Sequence, residues 1–347
     1  MDATFQHVRK AELPEKRIGT LIIDTEEDFD WRRPVRDTLI STSHIRHLRE
    51  LTELVSAYDV VPTYLVTFPV LRDQEAISII RYQLARGACA VGLQLHSWVT
   101  PPFSEERSSS RNSFLGNLDL SQEEQKLIAL RDLFTRCFGY SPKVYRAGRY
   151  GLSRHTPALL EKYGFTIDTS VAPHTNFVID GGPDYTNYDS SLFWFGERRS
   201  LLEVPLCRGI VGWGGRLAPR TYTRLPGQQG WQPHLRGLLA RSRWAERITL
   251  SPEGNDFVAM KRLVRGLLSK GQRVFPLSFH SSSLDVGRNP YVRNTADLHE
   301  FYDRLSAILD YMTGRLSFSF ARLEDLPLML PPGDPVDEST RRCEFVR

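Results

Sequence analysis

Short apolar runs alternate with amphipathic segments along most of the chain. Runs typical of buried strands lie at 20–23, 62–66, 90–95, 143–146, 166–168, 201–206 and 274–279. The segments between them carry apolar residues at helical spacing, and they predict helices at 43–57, 75–86, 121–138 and 154–163. Strands that alternate with helices predict βα units and an α/β fold with a parallel sheet.

Helix boundaries and irregular segments complete the predicted organisation. Ser43 and Ser121 are expected to cap the first and third helices, and Gly87 and Gly139 to end the second and third. Seven or so strands in one series favour a single barrel-like domain at 18–330, after an N-terminal extension at 1–17. Residues 211–251, rich in Gly, Pro, Arg and Trp, predict an insertion beside the site, and 331–347 predict a disordered tail.

Composition narrows the class of protein. The 347 residues are 41% hydrophobic and 25% charged, as in a soluble globular protein with a sizeable core. The formal charge of +4 comes without a basic block, so nucleic acid is not an expected partner. Cys89, Cys137, Cys207 and Cys343 form no CxxC pair, which is typical of reduced cysteines. With no signal-like segment and no apolar stretch of roughly 20 residues, we expect a cytoplasmic protein without a membrane span.

Polar residues follow four of the predicted strands, where parallel α/β proteins build their sites. The four clusters are Asp24-Thr25-Glu26-Glu27-Asp28, Gln94-Leu95-His96-Ser97-Trp98, Tyr145-Arg146-Ala147-Gly148-Arg149-Tyr150-Gly151 and Phe279-His280-Ser281-Ser282-Ser283. The acidic cluster alone is equally a solvated charge run. Together, however, the clusters contain what metal-assisted hydrolysis requires: metal ligands, a general base, a general acid and a cation that holds the base ionised.

In this order and on this strand pattern, the clusters resemble those of the polysaccharide deacetylase (NodB-homology) family of carbohydrate esterases, and most of all its WalW-like branch. The likeness spans about residues 18 to 325 and includes the stretches 96–103, 112–118 and Ser251-Pro252-Glu253-Gly254. It implies a distorted (β/α)7 TIM-like barrel. It also implies a hydrolase that removes N-acetyl or O-acetyl groups from sugars with a divalent metal, commonly Zn²⁺.

The resemblance implies catalytic roles for individual residues. Asp24 would be the general base that activates water, and Arg146 would pair with it and hold it ionised. His280 would be the general acid that protonates the leaving amine. Asp168 would tether His280 or another residue of the site. The backbone around Tyr150 would donate to the developing oxyanion.

The resemblance implies a metal site as well, and here the chain departs from the family pattern. Glu26 would be the metal carboxylate, with Glu27 and Asp28 as alternatives within the acidic cluster. The family supplies two histidines after the third strand, but Gln94 takes the first position and lies only two residues before His96. Glutamine is a poorer zinc ligand than imidazole. Weak metal binding, a harder cation held by Glu26 and Gln94 oxygens, and no metal at all are the alternatives.

Residues near the same loops are candidates for substrate binding. Aromatic faces suit sugar rings, and guanidinium groups suit the phosphate of a nucleotide- or lipid-linked sugar. The candidates are Trp98, Arg149, Tyr150 and Trp213. Packing in the interior is the alternative for the aromatic residues, and solvent exposure for the arginine.

Two other histidines and the serines after His280 carry weaker signals. His44 and His47 lie three residues apart in the first turn of an amphipathic helix, which favours a solvated face over a metal motif. Ser281 and its two neighbours do not form a nucleophile elbow, so a Ser-His-Asp triad is not expected.

The leading hypothesis is a metal-dependent carbohydrate deacetylase, a hydrolase of C–N bonds other than peptide bonds. Its substrate would be an amino-sugar precursor of a cell-surface polysaccharide or glycoconjugate, either free or linked to a nucleotide or lipid. One alternative is a metal-poor sugar-binding homologue that has lost catalysis. In that case, Gln94 in place of a histidine would mark the lost metal site. Another is a C–N hydrolase for a non-sugar amide, because a fold does not determine its substrate.

Overall fold

A computed structural model describes residues 5, 8–28, 41–103, 111–212 and 244–330. Its strands are β1 (Arg9–Lys10), β2 (Ile18–Thr25), β3 (Thr63–Val66), β4 (Ala90–Leu95), β5 (Val144–Ala147), β6 (Ile167–Asp168), β7 (Phe193–Phe195), β8 (Leu201–Glu203), β9 (Arg208–Val211), β10 (Glu246–Thr249), β11 (Val274–His280) and β12 (Ser319–Phe320). Its α-helices are α1 (Leu48–Ser56), α2 (Phe68–Arg72), α3 (Gln74–Ala85), α4 (Leu120–Phe138), α5 (Thr156–Lys162), α6 (Phe257–Leu268), α7 (Thr295–Asp310) and α8 (Leu326–Met329).

The seven predicted strands are present as β2 to β6, β8 and β11, and the four predicted helices as α1, α3, α4 and α5. Both predicted serine caps differ from the structure. Ser43 lies within the 3₁₀ turn Ser43–His47 that precedes α1, and His47 is the N-cap of α1 without a side-chain cap hydrogen bond. Asp119, rather than Ser121, caps α4: its carboxylate accepts the Gln122 N–H at 2.8 Å, and the Gln122 side chain accepts from the Asp119 N–H. This reciprocal pair satisfies two backbone donors that Ser121 would leave unpaired.

The strands form one large sheet with a parallel series at its centre. The order of the parallel strands is β11-β2-β3-β4-β5-β6-β8, followed by antiparallel β7 and β1, while β12 pairs with β2. Between the described strands β8 and β11 the sheet stays open. Leu250 bridges that gap, because its N–H donates to Cys207 O at 2.7 Å and its carbonyl accepts from Ser278 N–H at 3.2 Å. Closure into a (β/α)7 barrel stays a prediction.

The alternation of side chains along the strands divides the core into two layers. One layer packs against the helices and includes Leu21, Ile23, Tyr64, Val66 and Tyr145. The other layer lies on the opposite face and includes Ile22, Leu65, Val144, Ile167 and Leu202. We call this second side the inner face. Asp24 is two residues after Ile22, and Arg146 two after Val144, so both side chains leave their strands on the inner face.

A contact across this face shows that the sheet is curled. Asp24 on β2 and Arg146 on β5 form an ion pair, although β3 and β4 lie between the two strands. Three steps of about 4.8 Å would place β2 and β5 about 14 Å apart in a flat sheet, farther than an arginine side chain can reach. The carboxyl ends of the strands therefore converge around the inner face.

The segments outside the parallel series lie against this framework. In the predicted N-terminal extension, Phe5 is buried against Phe193 and Phe195, and β1 pairs with β7. β9 and β10 pair antiparallel at the two ends of the predicted insertion. The predicted tail at 331–347 lies outside the described residues. Within the described ranges, no helix combines the length and the apolar character that a membrane crossing requires.

Candidate active site

The Asp24–Arg146 ion pair is buried on the inner face of the sheet, at the base of the candidate site. Both side chains are almost completely buried, and Arg146 Nη1 donates to Asp24 Oδ1. The guanidinium is held from the other side by Thr169, whose carbonyl accepts from Nε at 2.9 Å and whose hydroxyl accepts from Nη2 at 3.0 Å. Burial lowers the pKa of Arg146, but Asp24 outweighs it and the net shift is upward. The predicted partnership of these two residues is present.

His280 faces the free oxygen of Asp24. The two residues are register partners on β11 and β2, and His280 Nε2 lies 3.7 Å from Asp24 Oδ2. On its far side, Nδ1 lies 2.8 Å from Glu253 Oε2, and Glu253 Oε1 accepts from the His280 backbone N–H at 2.9 Å. Burial lowers the pKa of His280, but Glu253, Glu26 and Asp24 outweigh it and raise that pKa to about 10. The ring is therefore a cation at neutral pH.

A second buried histidine lies among the carboxylates of the acidic cluster. His96 Nδ1 lies 2.8 Å from Glu27 Oε1, and Nε2 lies 3.3 Å from Glu26 Oε2. Burial opposes the charge on His96, but Glu27 and Glu26 raise its pKa to about 10. Burial likewise raises the pKa of Glu26, against the effects of His280 and His96.

The side chain of Gln94 donates a hydrogen bond to Glu26, so its nitrogen rather than its oxygen faces that carboxylate. Its side-chain N–H donates to Glu26 Oε2 at 3.2 Å, the same oxygen that faces His96. Gln94 is the register partner of Arg146, which explains why it points to the inner face beside the ion pair. Its own Oε1 and Glu26 Oε1 are buried and have no hydrogen-bond partner among the described residues.

These donors do not fit a catalytic zinc site. Such sites use three protein ligands drawn from His, Cys, Asp and Glu. Glu26 and His96 face one another, but Gln94 stands where the third ligand would be, and it presents an N–H to Glu26. Among the residues that the structure describes, no group of three such side chains is arranged to hold a metal ion. No step of the reaction is therefore derived through zinc.

Asp168 is not the partner of His280. Its register partners are Tyr145 on β5 and Glu203 on β8, so its side chain leaves the sheet on the face opposite Arg146. There it accepts from Ser170 Oγ at 2.5 Å. Asp168 is one of the groups that raise the pKa of Arg146, so its role towards another residue of the site stays a prediction. Asp168 does not tether His280, because strand alternation turns it away from the inner face. Glu253 occupies that position instead.

Asp168 and Glu203 form a buried carboxyl pair. Burial raises the pKa of both groups, and the neighbouring carboxylate raises that of Glu203 further, well above the ordinary value. Two adjacent buried carboxyl groups cannot both ionise at low cost, so the pair holds a proton between them.

The turn after β5 has a strained backbone. Arg149 and Tyr150 both adopt the left-handed conformation, with φ of 54° and 58°. Non-glycine residues in this region cost about 1–3 kcal/mol each and concentrate at functional sites. The Tyr150 ring lies 5.7 Å from the Arg146 guanidinium, while Arg149 Nη1 donates to Ser113 Oγ at 2.6 Å and Nη2 lies 3.6 Å from Asp180. Arg149 is therefore held by the two neighbouring loops that contain Ser113 and Asp180.

The two tryptophans that were predicted to stack on a sugar ring are Trp98 and Trp213. Trp98 is only 5% exposed, and its ring stacks on His96 with the centroids 4.1 Å apart. One face of the indole is thus already covered by imidazole. Trp213 lies outside the described residues.

Two residues near the site, Glu253 and His44, were not assigned to it from the sequence. Glu253 belongs to a stretch that carried the family resemblance, but no role followed from that. His44 is completely buried, so its predicted solvated position is wrong, and its Nε2 lies 2.9 Å from Ser281 Oγ. His47, by contrast, is 29% exposed, as predicted for both. Helical spacing alone could not separate the two histidines, because burial of His44 depends on the turn after β11.

The fold has counterparts among solved structures. A probable polysaccharide deacetylase from Pseudomonas aeruginosa PAO1 is similar over 90% of both chains, at 14% identity and a TM-score of 0.51. PuuE allantoinase is similar over 92% of this chain and 93% of its own, also at 14% identity and 0.51. A putative polysaccharide deacetylase from Mycobacterium smegmatis covers 92% of this chain and 98% of its own, at 18% identity and 0.44. No family model and no curated protein matches the chain.

These likenesses define the class of fold: the α/β fold that the Pseudomonas deacetylase and PuuE allantoinase share. At such identities they do not define the reaction, which has to be argued from the site. The WalW-like assignment stays a prediction.

The carboxyl pair makes stability depend on pH in a specific way. A carboxyl group whose pKa is raised by folding destabilises the native state increasingly as pH rises above its unfolded pKa. Glu203→Gln removes that penalty, while its amide can donate to Asp168 and accept the Val171 N–H that Glu203 Oε1 accepts at 2.9 Å. We expect the variant to be more stable than the wild type by about 1–3 kcal/mol at pH 8 and to lose that advantage near pH 4.

Urea unfolding at both pH values measures the difference, with the exposed Glu53→Gln as control. A difference between Glu203→Gln and wild type that is the same at pH 4 and pH 8 would show that the pair carries no bound proton.

Proposed function

We propose that the protein is a hydrolase that removes an acetyl group from an N-acetylated sugar, or from an O-acetylated one. Its substrate is a precursor of a cell-surface polysaccharide or glycoconjugate, free or linked to a nucleotide or lipid. The arrangement of Asp24 and His280 carries this proposal, and the family resemblance and the shared fold support the substrate class. A cytoplasmic location remains part of the proposal.

The central observation is that the carboxyl group of Asp24 and the imidazole of His280 face one another across 3.7 Å. Arg146 occupies one oxygen of Asp24 and leaves Oδ2 directed towards His280 Nε2. Glu253 occupies Nδ1 of His280 and leaves the Nε2 proton directed towards the same space. Arg146 thus orients the base and Glu253 orients the acid, as general acid–base catalysis of amide hydrolysis requires.

In the proposed reaction, Asp24 Oδ2 takes a proton from a water molecule while the oxygen of that water attacks the acetyl carbonyl carbon. A C–O bond forms, and the carbonyl oxygen becomes an oxyanion that the backbone of the strained turn at Tyr150 stabilises. His280 Nε2 then donates its proton to the amine nitrogen as the C–N bond breaks. The products are the free amine and acetic acid, which releases its proton to solvent and leaves as acetate. The proton on Asp24 returns to His280 through solvent.

Glu26 and His96 complete the charge distribution. Glu26 Oε1 lies 4.0 Å from His280 Nε2, so Glu26 helps to keep the acid protonated until the leaving group takes its proton. His96 in turn balances the negative charge of Glu26 and Glu27. Residues at family metal positions thus act here as an electrostatic support for the acid and base, which is why we propose a reaction that does not depend on zinc.

A second candidate function is hydrolysis of a non-sugar amide. One observation favours it over a sugar: the Trp98 ring is already covered by His96. The fold does not decide between the two, because PuuE allantoinase and the Pseudomonas deacetylase are equally similar to this chain. A binding protein without catalysis is the third candidate. The paired acid and base disfavour it, because such a buried pair has no evident use in binding alone.

A screen of acetate and amine release tests the proposal directly. The panel contains N-acetylated and O-acetylated monosaccharides, oligosaccharides and nucleotide sugars, together with ring amides such as allantoin. Release of acetate from a sugar supports the proposal. Turnover of ring amides alone would establish the second candidate, and no turnover with retained sugar binding would establish the third.

His280→Ala and Asp24→Asn test the assigned roles. We expect each to lower kcat by about 100-fold or more, since a positioned acid or base contributes about that much. His299→Ala, an exposed histidine on α7, serves as the matched control, and circular dichroism monitors folding of every variant. Wild-type rates in a folded His280→Ala or Asp24→Asn protein would refute the role of that residue.

Metal dependence is a separate prediction. We expect dialysis against a chelator to leave turnover unchanged, and purified protein to contain no stoichiometric zinc, because Gln94 replaces a ligand. Elemental analysis before and after dialysis measures this. The prediction would be contradicted if dialysis abolished turnover and one equivalent of zinc restored it in the wild type, but not in Glu26→Ala.

A further inference from the structure

A second polar chain lies behind the acid and base. His44 Nε2 is 2.9 Å from Ser281 Oγ, and His44 Nδ1 is 3.0 Å from Asp28 Oδ1. Ser281 Oγ also accepts a long hydrogen bond from the Glu26 backbone N–H at 3.4 Å. His44 and Ser281 have no exposed surface. Hydrogen bonds thus connect His44 through Ser281 to the backbone of Glu26, and Asp28 contacts the other side of the imidazole ring without a hydrogen bond to it.

The outer end of this chain is fixed as well. Arg288 Nη1 lies 3.2 Å from Asp28 Oδ2, and the same guanidinium lies 3.1 Å from Asp285 and 3.2 Å from the Ser43 hydroxyl. Asp28 is therefore held between a buried imidazole and a partly exposed guanidinium.

The tautomer of His44 decides the direction of its hydrogen bond to Ser281: with the proton on Nδ1, Nε2 accepts from the Ser281 hydroxyl. The Ser281 oxygen then has a lone pair for the Glu26 N–H. Neighbouring hydrogen bonds in such a buried chain strengthen one another. His44 Nδ1 and Asp28 Oδ1 lie 3.0 Å apart without forming a hydrogen bond.

The chain joins three segments that are far apart in sequence. Asp28 belongs to the turn after β2, His44 to the 3₁₀ turn Ser43–His47, and Ser281 to the 3₁₀ turn Ser281–Leu284 after β11. The last residues of the two strands before these turns include Asp24 and His280. The chain thus ties together the turns that follow the proposed base and the proposed acid.

We infer that His44 is a positioning residue, which through Ser281 and Asp28 holds the backbone of Glu26 against the turn after His280. This inference rests on the proposed function, since it gives His44 its effect through Glu26 and His280. The arrangement resembles a Ser-His-Asp triad in its contacts. Ser281 is nevertheless not a nucleophile in this inference, because its oxygen is completely buried and already bonded to His44 and Glu26.

Matched variants of His44 test the positioning role. His44→Ala removes both contacts, and we expect kcat to fall by about 10-fold to 100-fold, as small displacements in an active site do, with KM unchanged. His44→Gln keeps an acceptor for Ser281 and a polar group beside Asp28, and should restore most of the lost kcat. His47→Gln is the control, because His47 is partly exposed and its contacts are an exposed hydrogen bond from Arg46 Nε at 3.3 Å and the carboxylates of Glu50 and Asp285 near 4 Å.

The outcomes separate positioning from a merely structural role. Unfolding midpoints are measured for all three variants and for Ser281→Ala. Full activity in His44→Ala, or a loss in His44→Gln equal to that in His44→Ala, would overturn the inference. An acetyl group found by mass spectrometry on Ser281 during turnover would also overturn it, in favour of a serine nucleophile.

A readout without substrate keeps the test independent of the proposed function. Nitrogen-15 NMR of the His44 ring should show a proton on Nδ1, and Ser281→Ala should speed hydrogen exchange of the Glu26 amide by about 10-fold or more. A proton on Nε2 in place of Nδ1, or unchanged Glu26 exchange, would refute the chain. If both NMR results hold but no substrate is turned over, the proposed function fails while the chain stands.

Discussion

The buried ion pair between Asp24 and Arg146 is the interaction on which the site depends. It joins β2 to β5 across two intervening strands, and therefore accompanies the curl that brings the strand ends together. A buried charge without its partner is costly, so neither residue can be lost without a penalty. Thr169 holds the guanidinium from behind, which leaves Asp24 with one oxygen committed and one directed into the site. In the proposed reaction, that second oxygen, Asp24 Oδ2, is the atom that accepts a proton from water.

The excess of carboxylates has a consistent explanation around this pair. Glu253 and Glu27 each contact one histidine, and Glu26 lies between the two rings. The carboxylates raise the pKa of both imidazoles to about 10, so each negative group has a positive neighbour. A cluster that would be unstable as bare carboxylates is thus balanced by imidazolium groups. Gln94 fits this balance, because it is a neutral donor to Glu26 and adds no further negative charge.

The sequence predicted the strands and their order well, because their periodicity is local. It also predicted Asp24, Arg146 and His280 as neighbours, since all three follow parallel strands. It did not predict which face a residue takes on a two-residue strand, and Asp168 was misplaced for that reason. Glu253 and His44 escaped because their roles depend on contacts with β11 and the turn that follows it, over 27 and 237 residues respectively. Such contacts leave no periodic signal in the chain.

His280 acts as the acid in this mechanism, and Glu253 raises its pKa through the contact with Nδ1. The most direct test is the pH dependence of kcat/KM in the wild type and in Glu253→Gln. We expect an alkaline limb near pH 10 in the wild type, where His280 loses its proton, and a limb displaced to lower pH in the variant. A wild-type limb near the ordinary histidine pKa of about 6.5, or one that Glu253→Gln leaves in place, would contradict it.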